Sequence, residues 1–220
     1  ALVEGPTEKI FIADILVPYL AGHSVFMTPI IISKPGQKGG DVRFARVKND
    51  IGLHLKQRQD TYLTLFVDYY GIKSDLQWVE EAKRKYTPSS KAEKINSETK
   101  DQVNRLFGTC GSDRRFIPYV AVHEFEALLF SEPHKLAEQL HVSQSKIDKI
   151  LTECGEPENI DDSPMRAPSK RLEDLSNQFK KTLTGIAIAK AIGLTKIRES
   201  CPIFNSWLTA VTKLKSASHG

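Results

Sequence analysis

Glu4 and Asp68 each close an apolar run. Leu2-Val3 ends on Glu4, with Gly5-Pro6 behind it, and Thr61-Tyr62-Leu63-Thr64-Leu65-Phe66-Val67 ends on Asp68. A buried parallel strand that ends in an acid and turns into a helix presents that acid at the carboxyl edge of a sheet, where α/β folds place their ligands. Two carboxylates delivered to one edge suit a hard divalent cation, Mg²⁺ or Mn²⁺, and hence phosphate chemistry. The plain alternative makes Glu4 a turn residue and Asp68 a helix N-cap.

A further acidic group, His123, Glu124 and Glu126, follows the run Phe116–Val122. Residues two apart in a helical turn diverge by about 200°. One of the two glutamates therefore faces a metal unless the backbone there is still extended. Glu124, nearest the strand end, is favoured, and Glu126 is a second ligand or a bridge to a second ion. The plain alternative is a polar helix start, where glutamate suits the macrodipole.

Cations come next. Pro168-Ser169-Lys170-Arg171 opens a helical pattern, so Lys170 and Arg171 stand where an anion is readily held. Lys190 lies in the apolar segment Gly185–Ile192, where a lysine is costly to bury unless it meets an acid or a phosphate. A snorkelling surface lysine is the alternative. Arg198 offers a similar charge. Lys38-Gly39-Gly40 is a weak phosphate-loop signal, because it lacks the Walker spacing.

The elements that must position these groups read as follows. Thr7 caps a helix running to Leu20, Val25–Ile32 is a strand, and 41–55 is a helix. Tyr62–Val67 is a strand, 76–107 is a charged stretch of two helices split near Pro88, and Phe116–Val122 is a strand. A helical turn follows at 123–130. Helices are then expected at 132–140, 143–153, 169–181, 185–192 and 203–214, with a loop at 155–168. Strands alternating with helices imply a parallel sheet flanked by helices. The expected organisation is an α/β core over 1–130, with 76–107 as a helical insertion, and a helical C-terminal cap over 131–220.

Of 220 residues, 40% are apolar and 26% charged, which is ordinary for a globular protein. The net charge of +4 permits an anionic partner without proving one. No apolar run reaches the roughly 18 residues of a membrane span. No leader is visible, and Cys110, Cys154 and Cys201 are odd in number and scattered. A reducing cytoplasm is the expected compartment.

Glu4-Gly5-Pro6-Thr7-Glu8 and Val67-Asp68-Tyr69-Tyr70-Gly71 resemble the metal motifs of a TOPRIM domain. More narrowly, the chain is similar to a bacterial TOPRIM-like family through Val122–Phe130, Ala167–Arg171, Ala189–Leu194, Arg198, Cys201-Pro202, Phe204-Asn205 and Trp207-Leu208. That family lies beside ABC- or SMC-like ATPases in phage-defence loci and is related to the overcoming-lysogenization nucleases. The resemblance implies a TOPRIM-like (Rossmann-like) fold and a metal-dependent nuclease gated by a partner ATPase. It implies a nucleic-acid substrate, with DNA ahead of RNA. Glu4 matches the TOPRIM glutamate and Asp68 the first aspartate, while Tyr70 replaces the second. Glu124 or Glu126 restores the missing charge, and Lys190 matches a lysine that assists at the scissile phosphate. The alternative is a catalytically inactive module docking to the ATPase.

Overall fold

A computed structural model of the protein describes residues 1–33, 44–68, 88–121, 124–160 and 166–214. It divides the chain into two compact units, Ala1–Val122 with Trp207–Gly220, and His123–Ser206. The division falls at 122/123 instead of 130/131, and the last residues count with the first unit instead of the helical region.

In the first unit, strands β1 (Leu2–Val3), β2 (Ile30–Ile31), β3 (Leu63–Asp68) and β4 (Phe116–Ala121) form a sheet that is four-stranded among the described residues, in the order β2-β1-β3-β4. Every pairing is parallel. Leu65, Phe66 and Val67 are all buried, without alternation, as expected of a parallel strand covered on both faces. Helix α1 (Pro6–Phe11) runs on through a π-turn (Ile12–Leu16) into α2 (Val17–Ala21). Helix α3 (Phe44–Gln57) precedes β3, and α4 (Pro88–Phe107) and the short α5 (Ser112–Arg115) precede β4.

The chain crosses from β1 to β2 in one direction and from β2 through β3 to β4 in the other. Right-handed crossovers then place α1 on one face and α3 and α4 on the opposite face. The packing agrees. Leu2, Leu65, Val67, Phe116 and Val120 share a core with Val47, Ile51 and Leu55 of α3 and Ile95 and Val103 of α4. On the other face Phe66 meets Phe11 of α1 at 6.1 Å between ring centroids, and Trp207 at 5.2 Å. Trp207 Nε1 donates to Thr64 Oγ1 at 3.0 Å, and that hydroxyl donates to the Ile117 carbonyl at 2.6 Å.

Arg115 fixes the entry to β3. Its guanidinium is buried and donates to the carbonyls of Thr61 (2.7 Å), Leu55 (3.2 Å), Cys110 (2.7 Å) and Arg58. It thereby takes up carbonyls that the C-terminal end of α3 leaves without helical partners.

Several expectations need correction. The strand expected at Val25–Ile32 shrinks to Ile30–Ile31, because β1 offers only two residues to pair. Ser24 turns through φ 59° ahead of it, and Phe26 stands 87% exposed. The N-cap of α1 is Gly5, not Thr7, and Glu8 supplies the capping bond. The second of the two helices expected around Pro88 opens at Pro88 itself, a position that proline suits, while the first, over 76–87, lies outside the described residues.

The second unit is helical. A 3₁₀ segment (Phe125–Ser131) is buried along its whole length. Helices α6 (Pro133–Leu140), α7 (Gln144–Cys154), α8 (Pro168–Leu175), α9 (Ile186–Ile192), α10 (Leu194–Ser200) and the opening of α11 (Pro202–Thr212) follow. The helix expected to run to 181 stops at Leu175, where Ser176 turns extended. Helix α10 was not expected, and Gly193 at φ 82° sets it off from α9.

Candidate functional site

The strand order reverses at β1, whose neighbours are β2 on one side and β3 on the other. Ligands of open α/β sheets bind at such a reversal, outside the carboxyl ends of the strands. Glu4 follows β1 directly, and Asp68 is the last residue of β3. Val3 pairs with Phe66, so Glu4 stands level with Val67, one residue short of Asp68. Strand spacing and rise put two such positions about 6 Å apart at Cα. Both side chains are partly buried. The turn behind Glu4 is held from below: Glu8 Oε2 accepts from the Gly5 N–H at 3.0 Å, and Pro6 starts the helix. That bond commits the Glu8 carboxylate, so it serves the turn.

In the second unit, Glu124 is extended (φ −137°, ψ 155°) and the 3₁₀ segment begins after it. That break lets two glutamates two apart converge. Lys181 Nζ lies 3.1 Å from Glu126 Oε1 and 3.8 Å from Glu124 Oε1. Glu124 Oε2 accepts from the Ser169 N–H at 2.8 Å, in the first turn of α8. Helix α8 needs this remote carboxylate because its own N-cap is Ala167, which has no side-chain acceptor. Glu126 is 2% exposed, and its Oε2 makes no hydrogen bond. Burial pushes its carboxyl up to about 7, while Lys181 pulls it down and Glu124 pushes it up.

The expected phosphate-binding residues have internal partners. Lys170 pairs with Glu173 at 2.6 Å. Arg171 donates to the Arg166 carbonyl at 3.0 Å and lies 3.9 Å from Glu153. The anion that α8 receives at its N-terminus is Glu124. Lys190 is exposed in the last turn of α9. Arg198 Nε donates to Asn205 Oδ1 at 2.7 Å. His123, Tyr70 and Lys38-Gly39-Gly40 lie outside the described residues.

Two residues escaped the sequence. Lys181 is the cation that meets the glutamates, and nothing in Phe179-Lys180-Lys181 sets it apart from other lysines. Glu158 is buried, and its carboxylate accepts from the N–H groups of Ile203 (2.8 Å) and Phe204 (2.9 Å) in the first turn of α11. The only local hint was an acid inside a stretch rich in proline and asparagine. The three cysteines are free, and burial pushes the Cys201 thiol up, so it is an inert core group.

Among the described residues no group of three or more His, Cys, Asp and Glu side chains is placed to hold a metal. None of their helices is long and apolar enough to cross a membrane. A cavity of about 560 Å³ in the first unit is lined by Ala1, Leu63, Thr64 and Ile117, from the starts of the strands. It opens at the amino edge of the sheet, away from Glu4 and Asp68, and has no part in the chemistry above.

The family model described as "Domain of unknown function (DUF4276)" matches residues 3–212. No curated protein and no solved structure matches the chain.

Proposed function

We propose that this chain, which belongs to the DUF4276 family, is a divalent-metal-dependent phosphodiester hydrolase acting on nucleic acid. The observation that carries the proposal is the delivery of Glu4 and Asp68 to the carboxyl edge of adjacent strands at the switch point. Mg²⁺ is commonly held by one or two carboxylates together with waters and substrate phosphates, so two acids there fit it without a closed protein cage. When bound, Mg²⁺ or Mn²⁺ supplies Lewis acidity at a phosphate oxygen and a more acidic water.

The remaining roles belong to the chain. Glu4 and Asp68 concentrate negative charge at the edge and orient what binds there. Glu124 and Glu126 are proposed as a second acid pair, within the second unit, and Glu126 Oε2 makes no hydrogen bond. Lys190 and the Lys170–Arg171 pair are the proposed contacts to the phosphodiester. The resemblance to TOPRIM-like defence proteins supports DNA ahead of RNA, an ABC- or SMC-like ATPase as gate, an antiviral role and a cytoplasmic setting. Mn²⁺-dependent nicking of plasmid DNA is expected, lost in Glu4→Ala and Asp68→Asn and kept in Lys135→Ala. Equal nicking by all of these would defeat the proposal.

A second possibility is a catalytically inactive module that docks to the ATPase. What favours it is the internal pairing of Glu124, Glu126, Lys170 and Arg171. Absence of any Mn²⁺ binding heat, with intact capture of the ATPase, would select it.

A further inference from the structure

We propose that Lys181 is a built-in counter-ion that closes the Glu124–Glu126 pair to divalent cations and leaves when one binds. The inference rests on the metal-dependent function proposed above and concerns how its second pair of acids is regulated.

The pair is asymmetric. Glu126 is 2% exposed at its side chain, whereas Lys181 is 42% exposed. A buried carboxylate keeps its need for a positive charge, because the interior replaces little of its lost hydration. The ammonium on a half-exposed stem has a direct route back to water. Removing the lysine from the pair thus costs the lysine little and leaves the glutamates to take up either a proton or another cation in its place.

Three oxygens define the place. Glu124 is anchored through Oε2 to the Ser169 N–H, which leaves Oε1 turned toward Lys181. Glu126 offers Oε1 to Lys181 and holds Oε2 buried with no hydrogen bond. One ammonium therefore serves two carboxylates and leaves one buried oxygen unserved. A divalent ion carries twice the charge and accepts more oxygens.

The backbone suits a lysine that moves. Lys181 is the first residue of a π-turn (Lys181–Gly185), and Lys180 before it is extended. π-turns are rare, and single ones gather at functional sites.

The test is site-resolved acylation of the lysines of the full chain, read by mass spectrometry, with MnCl₂ or EDTA. Mn²⁺ is expected to raise labelling of Lys181 severalfold and to leave Lys135 unchanged. In parallel, Mn²⁺ binding is followed by the loss of its free EPR signal. Lys181→Gln is expected to tighten that binding about tenfold, the equivalent of about 1.4 kcal/mol, while Lys181→Arg behaves as wild type and Glu126→Gln loses the gain. Mn²⁺ binding with unchanged Lys181 labelling, or with equal affinity in Lys181→Gln, overturns the inference and leaves the proposed function standing. No Mn²⁺ binding in any variant overturns both. The labelling arm uses wild-type protein, so it decides the matter even if a variant fails to fold.

Discussion

Glu158 sets two forces against each other, and a single substitution tells which wins. Its carboxylate receives the Ile203 and Phe204 N–H groups at 2.8 and 2.9 Å, at the positive end of α11. Those bonds favour the ionised form. Burial favours the protonated form, and Glu156 nearby adds to it. Burial is the larger effect and pushes the carboxyl from 4.5 up to about 7. A rise of that size corresponds to about 3 kcal/mol between the two protonation states. Below the unfolded value both states hold the proton. Between roughly pH 4.5 and 7 the folded protein keeps a proton that the unfolded chain has released. Stability from this group is therefore full at low pH and is lost as pH rises through about 7. Glu158→Gln cannot ionise, so its stability relative to wild type should improve by about 2–3 kcal/mol between pH 4.5 and 8.5. Urea unfolding followed by far-UV circular dichroism at both pH values measures the difference. A flat difference refutes the reasoning. So does the opposite slope, which would mean that the helix terminus outweighs burial.

Arg115→Met removes the donors to the Thr61, Leu55, Cys110 and Arg58 carbonyls and is expected to cost about 3 kcal/mol. In a chain of this size that is a fall of roughly 6–12 °C in Tm. Arg115→Lys should recover little, because an ammonium lacks the planar fork; full recovery in thermal unfolding would sink the assignment. Trp207→Phe breaks the bond to Thr64 Oγ1 between two buried groups and should cost about 1–2 kcal/mol. Thr64→Val on top of it should cost less than the sum, as a double-mutant cycle will show. A Cβ on Gly52 would come within 2.7 Å of the Phe107 ring, so Gly52→Ala should destabilise by about 1–3 kcal/mol, and Phe107→Leu should restore part of the loss.

What could be read along the chain was what local chemistry decides. Continuous apolar runs at Thr61–Val67 and Phe116–Val122 marked strands buried on both faces, and alternation with helices marked a parallel sheet. Gly5-Pro6 behind Glu4 marked a turn, so the ends of the strands and the acids they deliver were legible. Strand β2 was over-read, because the extent of a ladder depends on its partner and β1 pairs only Leu2 and Val3 with it.

Charge partnership was not legible, because it depends on which atoms burial brings together. Glu124 reaches Ser169 and Glu158 reaches Ile203 across 45 residues of sequence each. In both cases a helix that starts at a proline takes its capping oxygen from a distant acid. Lysines look alike as letters. The sequence singled out Lys190 for its apolar neighbours, yet the fold leaves Lys190 exposed and sets Lys181 against the buried Glu126. Hydrophobic period and turn residues act over a few positions and so fix the elements. The desolvation and Coulomb energy of an ionisable group are summed over everything around it in space, and only the tertiary structure supplies that sum.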